Sequence, residues 1–159
     1  MSELDAKAIS LEEGIEKNGE VMVCTSGVSM YPMLRHRKDM VVVEKLTRPL
    51  KKYDVPVYRT PSGKVVMHRI LKVLPDGYII RGDNLFHKEY DVKDENILGV
   101  LKAFYRDGKY FDCATNRIYK IYIRVNRWTY FLRKAWKNIV RPVLSKVKRT
   151  LLKLLRRSK

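Results

Sequence analysis

The first residue in a setting that could support chemistry is a serine in a turn. Ser29 lies in the segment SGVSMYPML, residues 26–34, directly after a predicted strand and between Gly27 and Pro32. A serine hydroxyl is a poor nucleophile at neutral pH and needs an adjacent base to take its proton as it attacks. By itself, a serine between glycine and proline usually does no more than form a turn.

A possible base for that serine is His68, in the β-type segment VVMHRILKV, residues 65–73. Imidazole has an ordinary pKa of about 6.5, so it is neutral at pH 7 with little burial, whereas a lysine base would need strong desolvation. Side chains alternate along a strand, so His68 shares a face with Val66 and Ile70 that could pack against the Ser29 turn. By itself, a strand histidine is more often a half-buried structural residue.

Three segments, in this order, resemble the motifs of the signal peptidase I and LexA-like serine peptidases. SGVSMYPML is similar to the nucleophile segment, which reads Ser or Gly, two residues, then Ser-Met-x-Pro-x-Leu. VVMHRILKV is similar to the strand that bears the second catalytic residue, and IRGDN, residues 80–84, to the Gly-Asp-Asn segment after it. The histidine matches the endoplasmic-reticulum and archaeal-like type. The resemblance covers about residues 20–112 and does not include the C-terminal segment.

The resemblance implies a serine endopeptidase in which Ser29 is the nucleophile and His68 its general base. The backbone N–H of Ser29 is the first expected donor to the oxyanion of the reaction. Further residues expected at the oxyanion and the substrate are Ser26, Gly27 and Met30. Gly27 stands where some relatives have a helping hydroxyl, so a second donor has to come from elsewhere, for example from Ser26.

A third catalytic residue is expected, because a carboxylate normally orients such a histidine through its other ring nitrogen. By resemblance, Asp83 of the Gly-Asp-Asn segment is the first choice. Relatives have a further acid six residues on, where this chain has Glu89, with Asp91 nearby, so both remain alternatives. Asp83 could instead bond turn amides or pair with Arg81.

The elements that must position these residues are short β-type runs. Turn signals at 61–63, 75–77 and 107–108 join neighbouring runs at hairpin distance, and residues 82–96 are expected to form a long polar loop. A capping box at Ser10 and a stop at Asn18-Gly19 predict a helix over about residues 11–17. The predicted strands are residues 20–25, 40–45, 55–59, 64–74, 78–81, 98–105 and 109–113. The predicted fold is therefore mainly β, of the LexA and signal-peptidase type, with a short N-terminal helix.

From residue 116 onward the apolar residues recur at helical spacing, which predicts an amphipathic helical extension. Pro142 is expected to break or kink it, and Leu144, Val147, Leu151, Leu152 and Leu155 form a second stripe. We expect helices that lie in an anionic membrane interface through residues 116–159. The alternatives are a nucleic-acid-binding arm, which the apolar stripe disfavours, or packing against the β domain or a partner.

The charge of the chain is concentrated in that extension. The chain has 34 Lys and Arg against 17 Asp and Glu, a formal charge of +17. Residues 113–159 contain 15 of the basic residues and no acidic one, which leaves 19 basic and 17 acidic residues in 1–112. A nearly neutral body with a cationic tail indicates an anionic partner for the tail alone.

The sequence offers no sign of a cofactor or metal. Cys24 and Cys113 are far apart in the sequence and do not have the spacing of a metal or redox motif. His36 and His87 have no second metal-ligating residue at the spacing typical of a metal site. The N-terminus lacks the pattern of a secretory signal, and no window approaches a membrane span. We therefore expect a cytoplasmic protein, peripheral at the membrane.

The expected organisation is an N-terminal helical segment (1–19), a peptidase domain (20–113) and a basic helical tail (114–159). The expected function is cleavage of a peptide or precursor, such as a leader or signal peptide, by a Ser-His mechanism. The alternative is a non-catalytic peptidase-fold module that the tail tethers to a membrane or partner. A self-cleaving repressor is disfavoured, because 20 residues before the first strand cannot hold a DNA-binding domain.

Overall fold

A computed structural model describes residues 3–145 and residue 149 of the chain. In this part of the chain, two antiparallel sheets follow an N-terminal helix and precede a long C-terminal helix. The elements are α1 (Glu3–Asn18), β1 (Glu20–Cys24), β2 (Met40–Glu44), β3 (Pro56–Arg59), β4 (Val65–Met67), β5 (Arg69–Leu74), β6 (Gly77–Arg81), β7 (Glu89–Val92), a 3-10 turn (Asp94–Asn96), β8 (Ile97–Arg106), β9 (Lys109–Asp112), α2 (Arg117–Ala135) and a π-helical turn (Trp136–Val140). The fold is thus mainly β, as predicted.

The larger sheet has the strand order β1-β2-β8-β3-β4, with β9 also paired to β8, and the smaller sheet has the order β5-β6-β7. The ten-residue β8 is central, and β1 and β4 end the path. Side chains of both sheets share one buried cluster, which excludes water between them. Its members are Leu50, Tyr58, Ile70, Tyr78, Ile80, Val92 and Val100.

The predicted strand 64–74 is in fact two strands that belong to different sheets. Val57 pairs with Met67 in the larger sheet, and Arg69 pairs with Arg81 in the smaller one. His68 is the single residue between β4 and β5, and it is buried. The chain therefore changes sheets at the candidate general base, and the prediction of one continuous strand was wrong.

Two other predictions need correction. The expected loop 82–96 contains β7, which pairs with β6 and sets Glu89 opposite Ile80. The N-terminal helix begins at Glu3 rather than at about residue 11, and Leu11 and Ile15 are buried. Its predicted end is confirmed, because Gly19 follows Asn18 with a φ of 74° and donates its N–H to Ile15 O.

The C-terminal helix does not stop at Pro142. Its start is capped by Asn116, whose Oδ1 accepts the N–H of Tyr119 at 2.9 Å. The helical backbone continues to Ser145 through the π turn, in which the N–H of Arg141 reaches Trp136 O. Proline has no N–H to donate to the preceding turn of a helix, and a π turn just before it accommodates this interruption of the hydrogen-bond pattern. Leu144 is described and exposed, whereas Val147, Leu151, Leu152 and Leu155 lie outside the described residues.

The chain forms two compact units, one up to Ile121 and one from Tyr122. All the candidate catalytic residues belong to the first unit. In the described part of the chain, neither long helix is apolar enough to cross a membrane.

Candidate active site

The candidate base His68 is held by a carboxylate and a phenol. Its Nδ1 lies 2.6 Å from Oε1 of Glu89 and 3.0 Å from Oη of Tyr58. Tyr58 donates its hydroxyl proton to Oε2 of Glu89 at 2.7 Å. The three side chains come from different elements, since Tyr58 is in β3, Glu89 begins β7 and His68 joins the two sheets. The three side chains therefore come together only because the two sheets pack against each other.

The hydrogen bonds assign the proton on the imidazole. Tyr58 donates its only proton to Glu89, so a hydrogen on Nδ1 of His68 gives every donor an acceptor. This tautomer leaves a lone pair on Nε2. Burial lowers the pKa of His68 below its ordinary 6.5, while the charge of Glu89 partly offsets that shift. At neutral pH the ring is thus uncharged and ready to accept a proton.

Asp83, the first choice for the third residue, instead pairs with the neighbour of His68. Its two carboxylate oxygens accept bonds from Nε and Nη2 of Arg69 at 2.9 and 2.7 Å, and both side chains are buried. Arg69 also donates to Oη of Tyr119 at 2.9 Å. Although burial lowers the pKa of Arg69, Asp83 and Tyr119 raise it above its ordinary value, so the guanidinium stays charged. The carboxylate bonded to the imidazole is therefore that of Glu89 and not that of Asp83.

Glu89 was one of the alternatives, and it has the geometry that the role requires. The side chain of Asp91, the other alternative, lies outside the described part of the structure. The ion pair of Asp83 that carries the present argument is the one with Arg69. Asp83 thus fixes the Gly-Asp-Asn loop to the strand that follows the candidate base.

The same loop is hydrogen-bonded to the Ser29 turn. The backbone N–H of Asn84 donates to Ser29 O at 2.7 Å, and Nδ2 of Asn84 donates to Val28 O at 3.1 Å. Gly82 has no side chain, and a Cβ there would lie 2.8 Å from Ser29 O and 3.0 Å from Cδ2 of His68. Because Cδ2 is bonded to Nε2 on the side of the ring away from Nδ1, this edge of the imidazole approaches the Ser29 turn. The backbone of Ser29 and the imidazole of His68 are thus both close neighbours of Gly82.

Replacing Gly82 by alanine should separate the two residues. The new methyl group must displace Ser29 O or the ring, and a displacement of about 1 Å at a catalytic group costs roughly 100-fold in rate. We expect kcat/KM for peptide cleavage to fall by about that factor in folded protein. Gly99→Ala is the matched control, because a Cβ there would lie 2.8 Å from Glu44 O. Both variants should lose thermal stability, but equal activity losses would contradict the assignment of Gly82 to the site.

The turn before Ser29 has supports that the sequence did not reveal. Gly27 adopts a φ of 86°, which favours glycine, and donates its N–H to Nδ1 of His36 at 2.8 Å. The fully buried Asp39 accepts bonds from the backbone and side chain of Arg35. These contacts hold both ends of the segment between β1 and β2. His36 is exposed, and its ring nitrogen is bonded to the turn that precedes Ser29.

An apolar cavity of about 290 Å³ opens beside Ser29. The expected substrate-site residues Ser26, Gly27 and Met30 all line it. Both end strands of the larger sheet contribute to its wall, β1 through Val23 and Cys24 and β4 through residues 65–67. The remaining lining residues are Leu11, Thr25, Leu34, Val41, Val43 and Val57. An extended peptide at this cavity would have one side chain in an apolar pocket and its backbone next to Ser29.

The described residues include no group of three His, Cys, Asp or Glu side chains placed to hold a metal ion. Cys24 is exposed and Cys113 is partly buried, and both are free thiols.

Comparison with known proteins adds no name to this geometry. No family model matches the chain. No curated protein matches it either.

Proposed function

We propose that this chain is a serine endopeptidase of the LexA and signal-peptidase type that uses Ser29, His68 and Glu89. The observation that carries the proposal is the position of the imidazole. Its Nδ1 is bonded to a carboxylate, and its opposite edge meets the Ser29 turn at Gly82. This is the order nucleophile, base and orienting acid that activates a serine hydroxyl. Two antiparallel sheets with an N-terminal helix agree with that fold type at the coarse level.

In the first half of the reaction, Oγ of Ser29 attacks the carbonyl carbon of the scissile peptide bond. Nε2 of His68 takes the hydroxyl proton, and Glu89 stabilises the imidazolium that forms. The negative charge that develops on the carbonyl oxygen is bound by the N–H of Ser29, with Ser26 as the candidate second donor. When the C–N bond breaks, His68 returns the proton to the leaving amine, and the acyl group remains as an ester on Ser29.

In the second half, water replaces the amine. His68 removes a proton from the water as it attacks the ester carbon, and the proton then passes to Oγ of Ser29 as the C–O bond breaks. The products are a peptide with a new C-terminal carboxylate and the enzyme with the Ser29 hydroxyl restored. The neutral ring is the form that accepts a proton in each half, and burial favours that form.

The substrate that fits this site is an extended segment of a peptide or precursor protein. Among the described residues, β1 and β4 end the larger sheet, each with one edge that pairs with no further strand, and both border the cavity. A peptide that adds to such an edge has its backbone hydrogen-bonded and alternate side chains directed to opposite faces. We propose that one apolar side chain enters the cavity and that a leader or signal segment is the substrate.

We further propose a cytoplasmic location at the periphery of a membrane. The support for a membrane contact is the uneven distribution of charge, because residues 113–159 contain 15 basic residues and no acidic one. No cofactor is part of the proposal.

The proposal is tested with a defined library of peptides. Full-length wild-type protein and a Ser29→Ala variant are purified in parallel and incubated with the library, and mass spectrometry identifies new termini. Cleavage by the wild type alone supports the endopeptidase. If neither protein cleaves any peptide, while the wild type binds library members, the chain is a peptidase-fold binding module. Equal cleavage by both would indicate a contaminating enzyme and would also contradict the proposal.

A further inference from the structure

The C-terminal helix has an apolar face that the described part of the structure leaves exposed. Trp128 is 84% exposed, Phe131 74% and Leu132 72%. These values are far above those expected for large apolar side chains of a folded protein. Further exposed apolar residues on the same helical segment are Ile118, Ile121, Val125, Trp136, Ile139, Val143 and Leu144.

The spacing of these residues shows that they form a stripe. Ile118, Ile121, Val125, Trp128 and Leu132 follow one another at three or four residues, which places them on one side of an α-helix. The helical segment from residue 118 to 144 spans about 40 Å at about 1.5 Å per residue. The stripe is therefore long and narrow, and it lacks the uninterrupted apolar length of a membrane span.

Eight cationic residues of the helical segment 117–144 lie off the stripe. Its basic residues are Arg117, Lys120, Arg124, Arg127, Arg133, Lys134, Lys137 and Arg141, and all but Arg133 are exposed. No acidic residue occurs anywhere after Asp112. The surface that covers this helix must therefore accept a row of apolar side chains and be negatively charged along its whole length.

We propose that α2 and the turn after it dock on an anionic lipid surface, with the apolar stripe in the headgroup region. Lipid headgroups supply the negative charge, and the acyl boundary accepts tryptophan and aliphatic side chains in any linear pattern. Tryptophan favours this boundary because its ring is apolar and its N–H can remain hydrated. A nucleic acid would satisfy the cations but not the stripe. The proposal concerns the helix alone and does not depend on the peptidase activity.

The chain has two tryptophans, Trp128 and Trp136, and both belong to this exposed face. Their fluorescence therefore reports directly on the proposed contact. Full-length protein is titrated with vesicles of phosphatidylcholine alone and of phosphatidylcholine mixed with phosphatidylglycerol in equal parts. We expect a blue shift of the emission and co-sedimentation with the anionic vesicles only, and reversal of both at high salt.

Three variants separate the contributions. Lys120→Gln, Arg124→Gln and Lys134→Gln together should weaken binding to anionic vesicles by about 100-fold. Trp128→Gln with Leu132→Gln should weaken it by at least about tenfold, because the apolar anchor is lost. The control is Met22→Gln with Val73→Gln, which removes two exposed apolar side chains of the first unit and should bind as the wild type does.

Three outcomes would overturn the proposal. The first is wild-type protein that stays in the supernatant with anionic vesicles. The second is a Trp128→Gln and Leu132→Gln variant that binds as tightly as the wild type, since a purely electrostatic partner would then suffice. The third is a dimer whose tryptophan emission is already blue-shifted without vesicles and does not respond to them, since a second copy would then cover the stripe.

Discussion

Ser29→Ala is expected to lower kcat for peptide cleavage by about 10⁴- to 10⁶-fold, and His68→Ala by a similar factor. The double variant should be no slower than either single variant, because a base has nothing to activate once the hydroxyl is gone. The residual rate would come from binding and from the oxyanion donors that remain. The measurement is kcat and KM on the best peptide of the library, with each variant checked for folding.

The control for this experiment is an exposed serine. Ser62 lies in the turn between β3 and β4, so Ser62→Ala should retain activity. Independent, multiplying effects of Ser29→Ala and His68→Ala would mean that the two residues do not act as a unit. That result would remove the nucleophile and base assignment.

Glu89→Gln is expected to lower activity with little loss of stability, whereas Asp83→Asn is expected chiefly to lower stability. Glu89→Gln keeps the size of the side chain and an acceptor for Tyr58, so the fold should survive. It removes the charge that stabilises the imidazolium and lets the ring adopt the wrong tautomer, which costs about 10³- to 10⁴-fold in kcat. Glu89→Asp retains the charge at a shorter reach and should recover part of the loss.

Asp83→Asn should chiefly reduce stability. It leaves the buried guanidinium of Arg69 without its counter-charge, and breaking a buried pair in this way costs about 3–5 kcal/mol. Urea unfolding measures the loss of free energy for Asp83→Asn, and steady-state kinetics at low urea measure the loss of kcat for Glu89→Gln. The reverse pattern, a stable but inactive Asp83→Asn and an active Glu89→Gln, would return the orienting role to Asp83.

The sequence predicted much of the local structure correctly because strands and hairpins are encoded by neighbouring residues. The runs at β1, β2, β3, β6, β8 and β9 and the turns between them follow from alternation and from Gly, Pro and Asp in the connections. The division at His68 could not be found this way. Residues 64–74 have the same β character throughout, and only packing against two different sheets shows that the chain changes partner there.

The choice of the orienting acid depended on contacts that are distant in sequence. Asp83 and Glu89 are both plausible until the partner of Arg69 is known, and that partner is 14 residues away. Tyr58 looks like an ordinary core tyrosine of a strand, and nothing in its neighbourhood indicates that it bonds a carboxylate 31 residues later. The hidden strand β7, whose residues are mostly polar, is what brings Glu89 into reach.

The hydrogen bond from Arg69 to Tyr119 sets a limit on how far the chain can be shortened. Tyr119 is the third residue of α2, is buried and lies against the ring of Phe104. Truncation after residue 113 would therefore remove a partner from the guanidinium beside the candidate general base and expose the ring of Phe104. A minimal fragment for enzymology must retain the first turn of the basic helix, even when the rest of the tail is removed.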